Sequence, residues 1–317
     1  MFSDIRIFVI SLFLTITSAA TAEPVNLSDQ NTNTQQYLVG FAQDTLANDW
    51  RLAQVNELKK SLARSPNIKL VVTDAKGETA KQISDIEDLI SNKIDLLITS
   101  PKDAKALTPV VSKAYKKGIP VILLDRGIAT DDYTTLIGAD NRSIAHKAAK
   151  YLIETHPHGG NIIILKGVPN ATPTIHRTDD FIKEIAKNKK FKIVAQKTAN
   201  YLRGDAIQAV EELIDSDIQF DIIYAQSDSM ATGARMALEL AGKDLNKVSI
   251  IGIDYIKEAQ TAIKNGNQIA SFTYPTGGKE GGEYAIKILS GEKVKKHIVI
   301  KSQLITKTNV DLIDPIF

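Results

Sequence analysis

Five short runs of β-branched and aliphatic residues end on groups that hydrogen-bond or stack. Tyr37–Ala42 leads into Gln43, and Val121–Leu124 into Asp125 and Arg126. Asp221–Ala225 leads into Gln226, Ser227 and Asp228. Ser249–Ile253 leads into Asp254, and Gln268–Phe272 into Thr273 and Tyr274. Such residues suit the grip of a small polyhydroxylated molecule. Carboxylates accept from two hydroxyls, guanidiniums donate through a rigid fork, and aromatic faces pack against C–H groups. There is no cysteine nucleophile, no metal-ligand cluster and no G-x-S-x-G elbow, so binding is favoured over turnover.

Each candidate also has a structural reading. Trp50, the only tryptophan, could plug the core, and Arg51 could lie on a solvated helix face. Asp125 and Arg126 could form a surface ion pair. Arg177, near a helix start where the dipole disfavours cations, could pair with Asp179 or Asp180. Ser227 or Asp228 could simply cap a helix, and Asp254 has the same ambiguity. Asn48 or Asp49 is a plausible N-cap ahead of Trp50. Gly277–Gly282 lacks the spacing of a phosphate-binding loop, and His156-Pro-His158 is too isolated for a metal site.

The elements that must position these groups alternate in type. Strands are expected near 37–43, 68–73, 95–99, 120–124, 135–138, 161–165, 192–197, 221–225, 249–253 and 268–274. Helices are expected near 49–64, 78–92, 104–117, 142–155, 174–187, 205–216, 228–241, 256–265 and 277–290. Ile83, Ile86, Leu89 and Ile90 share one helical face. This alternation predicts βαβ units and parallel sheets, with polar side chains gathered at the carboxyl edge.

The chain has 317 residues, enough for two domains, and a net charge of +2, too small to argue for nucleic acid or a membrane surface. Residues 1–22 read as an export signal: Arg6, an apolar run of about ten residues, then an Ala20-Thr21-Ala22 cleavage pattern. A membrane span needs roughly 20 apolar residues. No cysteine follows, so neither a lipid anchor nor a disulfide is expected, and the periplasm is the expected location. Residues 23–36 read as a flexible lead-in.

Taken together, these motifs resemble the type I periplasmic sugar-binding proteins of the ribose and galactofuranose group. The resemblance rests on Val39-Gly-Phe with Gln43 and Trp50-Arg51, then Ile119–Arg126, Gly138–Asn141 and Arg177 before Asp180-Phe181. Tyr224–Ala234, Gly252–Asp254 and Gly291–Val294 complete it. It implies two Rossmann-like lobes joined by three crossing strands near residues 139–140, 274 and 301. The implied lobes are 37–139 with 275–301, and 140–274 with 302–317. The implied pocket is Gln43, Asn48, Trp50, Arg51, Asp125, Arg126, Arg177, Tyr201, Ser227, Asp228, Asp254 and Tyr274.

The ribose binders of this group carry Pro-Phe-Phe where this chain has Asp49-Trp50-Arg51, and a glutamine where it has Tyr274. The first-loop spacing looks more like that of galactofuranose binders. The implied role is a monomeric, cofactor-free receptor that closes on a hexofuranose or related pentose and delivers it to an ABC permease. The alternative is a sensor accessory for a sugar-like signal, similar to the autoinducer-2 receptor, acting on a histidine kinase or chemoreceptor. An exported hydrolase lacks a nucleophile beside a base, and a transcriptional regulator lacks a DNA-reading head.

Overall fold

Runs such as Leu96–Ile98 and Ile162–Leu165 have no polar face, so they are stable only when covered on both sides. In the computed structural model, which describes residues 35–317, every one of these side chains is fully buried. The amphipathic segments between them supply the cover. Ile86, Leu89 and Ile90, for example, lie in the core under one face of a helix.

The first half runs β1 (Tyr37–Gln43), α1 (Asp49–Leu62), β2 (Ile68–Asp74), α2 (Thr79–Ser91), β3 (Leu96–Thr99), α3 (Ala104–Lys116), β4 (Val121–Leu124) and β5 (Thr135–Ala139). The second begins with α4 (Asn141–Thr155), β6 (Gly160–Lys166), α5 (Thr172–Ile185), β7 (Phe191–Thr198) and α6 (Arg203–Asp215). It continues with β8 (Ile222–Ala225), α7 (Asp228–Leu240), β9 (Ser249–Ile251), α8 (Lys257–Asn265) and β10 (Ala270–Phe272). The chain then returns to pack α9 (Gly278–Leu289) on α1 and add β11 (His297–Ile300) to the first sheet. It leaves once more to add β12 (Leu304–Thr306) to the second.

Both six-stranded sheets have the same order, β2-β1-β3-β4-β5-β11 and β7-β6-β8-β9-β10-β12. All pairs are parallel except β10 with β12, where the last strand runs back against its neighbour. The fold is therefore two doubly wound α/β lobes. Three segments pass between them: residues 140, 273–277 and 301–303. The sheet order reverses between β1 and β3, and between β6 and β8. Crevices at such switch points are where open α/β sheets bind ligands.

The expected export signal at residues 1–22, and the lead-in as far as residue 34, lie outside the described residues. Among the described residues, no helix is long and apolar enough to cross a membrane, and no cluster of three or more His, Cys, Asp or Glu could hold a metal ion.

Candidate functional site

The carboxyl ends of β1, β2, β3, β4, β6, β7, β9 and β10 open on one cavity of about 320 Å³ between the two sheets. Nine of the twelve expected residues line it: Asn48, Trp50, Arg51, Asp125, Arg126, Arg177, Tyr201, Asp254 and Tyr274. Asp44, which directly follows β1, lines it as well. Gln43, Ser227 and Asp228 do not.

The wall on the first lobe is a buried lattice of two guanidiniums and two carboxylates. Asp44 meets Arg126 Nη1 through Oδ2 at 2.7 Å and Arg51 Nε through Oδ1 at 3.2 Å. Arg51 Nη2 donates to Asp125 Oδ2 at 2.9 Å, and its Nη1 to Ser100 Oγ at 2.9 Å. Burial pulls the Arg51 pKa down, but the charges of Asp44 and Asp125 outweigh it and leave the pKa raised. Arg126 Nε lies 3.7 Å from Asp125 Oδ2, beyond hydrogen-bond reach, and is buried without a hydrogen-bond partner among the described residues. The surface ion pair considered for Asp125 and Arg126 is thus replaced by a buried network.

Several expected ligand contacts turn out to be committed inside the protein. Asp125 spends its other oxygen on the Tyr274 hydroxyl, which donates at 2.5 Å. Burial, and then Asp125 itself, raise the Tyr274 pKa well above the usual phenol value, so the hydroxyl keeps its proton. The Trp50 indole N–H, which could have served a ligand, is taken: Nε1 donates to the Tyr274 carbonyl at 3.0 Å. Its ring still lines the cavity while packing into a core cluster, so the two readings of Trp50 coexist. Asn48 caps α1 through Oδ1, accepting from Trp50 N at 2.9 Å, and its Nδ2 donates across the cleft to Tyr201 O at 2.9 Å.

The wall on the second lobe is different. Arg177, 2% exposed, forms no ion pair with Asp179 or Asp180. Its Nε donates to Asn141 Oδ1 at 2.7 Å and its Nη1 to the Gln226 carbonyl. Its guanidinium lies 4.4 Å from the Tyr274 ring centroid and 5.8 Å from that of Tyr201. Burial pulls its pKa down, but Tyr274, Tyr201, Asp254 and Asp125 more than offset this, and the pKa is raised.

Asp254 is 7% exposed, and its carboxylate takes no side-chain hydrogen bond among the described residues. The Asp228 N–H lies beside it but donates to the Ile253 carbonyl at 2.6 Å. Burial raises the Asp254 pKa well above the usual carboxylate value against the pull of Arg177, and Asp228 and Asp125 push it further up.

Backbone strain concentrates at this cavity. Asp125, Tyr201 and Asp254 have φ of 67°, 62° and 118°. Non-glycine residues rarely hold such angles, and when they do the surroundings over-determine them. For Asp254 the surroundings include Asp228. Its Oδ2 accepts from Tyr255 N at 2.7 Å and from the Ser271 hydroxyl, and its Oδ1 accepts from Gln268 Nε2 at 2.8 Å. Asp228 was expected in the pocket; instead it is fully buried beneath it and clamps the turn that presents Asp254. Burial, the largest influence, lifts its pKa to about 6 against those three donors. Gly252 makes the approach possible, since a Cβ there would sit 1.9 Å from Asp228 Oδ1.

Ser227 is the N-cap of α7, accepting from Met230 N at 3.2 Å. Gln43 points into the first lobe and donates to Gln54 Oε1 at 2.9 Å. Both are structural because strand alternation and the helix start turn them from the cavity.

The Tyr201 ring fills the space beside Gly167, where a Cβ would come within 1.9 Å of it. Its hydroxyl bonds Thr174 Oγ1 at 2.7 Å. Gly167→Ala is therefore expected to push the ring out of position while leaving the fold intact. Ligand affinity should fall about tenfold, the equivalent of ~1.4 kcal/mol. Titration calorimetry on a variant with unchanged circular dichroism checks this; unchanged affinity would remove Tyr201 from the site.

A periplasmic binding protein domain model matches residues 39–293. The ribose import binding protein of Bacillus subtilis (strain 168) is 30% identical over 304 residues, 95% of this chain and 97% of its own. A solved fructose-binding periplasmic domain of a hybrid two-component system superposes with a TM-score of 0.83 at 30% identity, covering 87% of this chain and 93% of that one. A Mycobacterium smegmatis protein in complex with β-D-fucofuranose gives 0.82 at 31% identity, with the same two coverages of 87% and 93%. The two-lobed fold and these matches agree: the chain belongs to the periplasmic binding protein family, in its type I sugar-binding group with the ribose and galactofuranose binders.

Proposed function

We propose that this protein is a non-enzymatic periplasmic receptor that encloses one monosaccharide, a galactofuranose-like hexose or a related pentose, and hands it to an ABC permease. One observation carries the reading. In the cavity a carboxylate, Asp254, and a guanidinium, Arg177, are both buried, yet among the described residues no ion pair joins them and neither is paired elsewhere with an opposite charge. A hydroxyl donates to the first and accepts from the second. A ring bearing several hydroxyls can satisfy both, along with the orphaned Arg126 Nε, as buried polar groups require.

Three of the lining cations, Arg51, Arg126 and Arg177, face the three carboxylates Asp44, Asp125 and Asp254, while Lys76 and Lys102 add positive charge to the lining. The paired groups suit hydroxyls, which both donate and accept. The rings of Trp50, Tyr201 and Tyr274 provide walls for the C–H faces of a sugar. The three crossing segments would act as the hinge.

Calorimetry against furanose- and pyranose-forming sugars, pentoses and hexoses tests the proposal. Binding of at least one at micromolar concentration is expected. A folded protein that binds none more tightly than millimolar would rule the reading out.

The likeness to a sensor domain of a two-component system favours one second reading, in which the closed form acts on a histidine kinase or chemoreceptor. Sugar uptake by permease-containing vesicles, measured with and without the protein, separates the two. Stimulated uptake supports delivery, and its absence shifts weight to signalling.

A further inference from the structure

The two lobes also touch outside the cavity, through groups that face no ligand. Asn170 lies in the loop between β6 and α5, in the left-handed region at φ 63°. Its Nδ2 donates to Asp103 Oδ2 at 2.8 Å, and its carbonyl accepts from Ala104 N at 3.2 Å. Asp103 belongs to the first lobe and is the N-cap of α3. Its Oδ1 accepts from Lys105 N and Ala106 N, both at 2.9 Å. One carboxylate therefore divides its oxygens: one closes the helix end, the other reaches the opposite lobe. Close by in sequence, Gly127 N donates to Thr172 Oγ1 at 3.0 Å, again across the cleft. None of these four residues lines the cavity.

We propose that Asp103 and Asn170 form a ligand-independent clasp, and that Asn170 is a positioning residue for ligand capture. Its left-handed backbone aims both its amide and its carbonyl at the same helix end, which a residue at ordinary φ would not do. The clasp forms only when the lobes meet, so its free energy is added to the closed state alone. A receptor that binds tightly only when closed has an apparent affinity scaled by its closed fraction. The clasp raises that fraction without making any contact with the sugar. Asn170 is exposed and Asp103 half-buried, so the contribution is moderate and the cleft can still reopen.

Two substitutions isolate the clasp. Asn170→Gly keeps the left-handed backbone, which glycine adopts freely, and removes the amide. Asp103→Ser keeps a side-chain N-cap for α3 and withdraws the oxygen that reaches across. For whichever sugar of the panel binds, each variant is expected to weaken affinity about fivefold, chiefly through faster dissociation. The double variant should be no worse than either single one, because both remove the same contact. Melting temperatures without sugar should be unchanged.

The affinity arm rests on the receptor reading; a second arm does not. With fluorophores on each lobe and no sugar present, energy transfer should report a more open average in both variants than in the native protein. Affinities within twofold of native, or independent additive losses, would overturn the clasp. So would identical ligand-free distance distributions, whether or not any sugar binds. A native protein that binds no sugar but opens on loss of Asn170 would instead defeat the receptor reading and leave the clasp standing.

Discussion

Asp254→Asn is expected to weaken sugar binding roughly 10–150-fold while making the ligand-free protein more stable at neutral pH. The affinity loss follows from removing the one cavity carboxylate with no side-chain partner; a hydrogen bond to a charged group is worth about 1.5–3 kcal/mol. The stability gain follows from linkage. The folded pKa of Asp254 lies well above its unfolded value near 3.8, so the folded state holds this proton more tightly than the unfolded one. Stability then falls as pH rises from about 3.8 through the raised folded value, and the deficit is fully present above it. Asparagine carries no charge and escapes that loss.

The gain should therefore vanish at low pH and grow toward pH 8. Asp228, with a folded pKa of about 6, remains in both proteins and leaves both with a residual decline between about 3.8 and 6. Sugar affinity in the native protein should move the other way, weakening as acid protonates Asp254, because the neutral acid is a poorer acceptor. Thermal melts and calorimetry at pH 5, 6.5 and 8 check both signs. A variant that is less stable at pH 8 and binds sugar as well as the native protein would show that Asp254 is paired in solution and is not the acceptor.

The fold was legible in the sequence because its determinants are local. Strands buried on both faces leave unbroken aliphatic runs, and Ile83, Ile86, Leu89 and Ile90 mark a helix by spacing alone. The last two strands were not legible. β11 sits at a sheet edge with alternate residues exposed, and β12 has three residues, too few for any period.

The site was legible as far as strand ends determine it. Asp125, Arg126, Arg177, Asp254 and Tyr274 come together because the carboxyl edges of two parallel sheets face one another. What stayed hidden is which atoms are already committed. Asp228 and Asp254 both follow apolar strands and look alike in sequence; only the packing over Gly252 puts one beneath the cavity and the other in it. Asp44 was passed over for its neighbour Gln43. Strand alternation turns residue 43 toward the side of Phe41, inside the lobe, and leaves the next position to face the cleft. Gln226 at a strand end and Asn141 in the Gly138–Asn141 motif were both noted, but their hold on Arg177 was not legible, since it depends on contacts 49 and 36 residues away.

Asp44→Ala should have the opposite effect on stability, lowering the melting temperature on the order of 10 °C. Asp44 meets both Arg51 and Arg126, at 3.2 and 2.7 Å, and is 1% exposed, whereas Asp125 meets Arg51 at 2.9 Å but Arg126 only at 3.7 Å. Without it, two buried guanidiniums share only Asp125, one oxygen of which already accepts from Tyr274. Breaking a buried pair by removing one partner costs about 3–5 kcal/mol, because the other charge is left uncompensated. Asp44→Asn should recover part of the loss by accepting one hydrogen bond, but not the charge.

Both changes should also weaken sugar binding, since Arg51 holds Asp125 and Asp125 holds the Tyr274 hydroxyl that shapes the floor of the cavity. The contrast with Asp254 is the informative part. Two acids lining the same cavity differ in the sign of their effect on stability, because one is neutralised by the fold and the other is left for a ligand. Chemical denaturation of Asp44→Ala, Asp44→Asn and Asp254→Asn side by side measures that difference. Equal and small changes in all three would mean that solvent, rather than the protein, screens these charges, and the paired lattice would lose its role in holding the site.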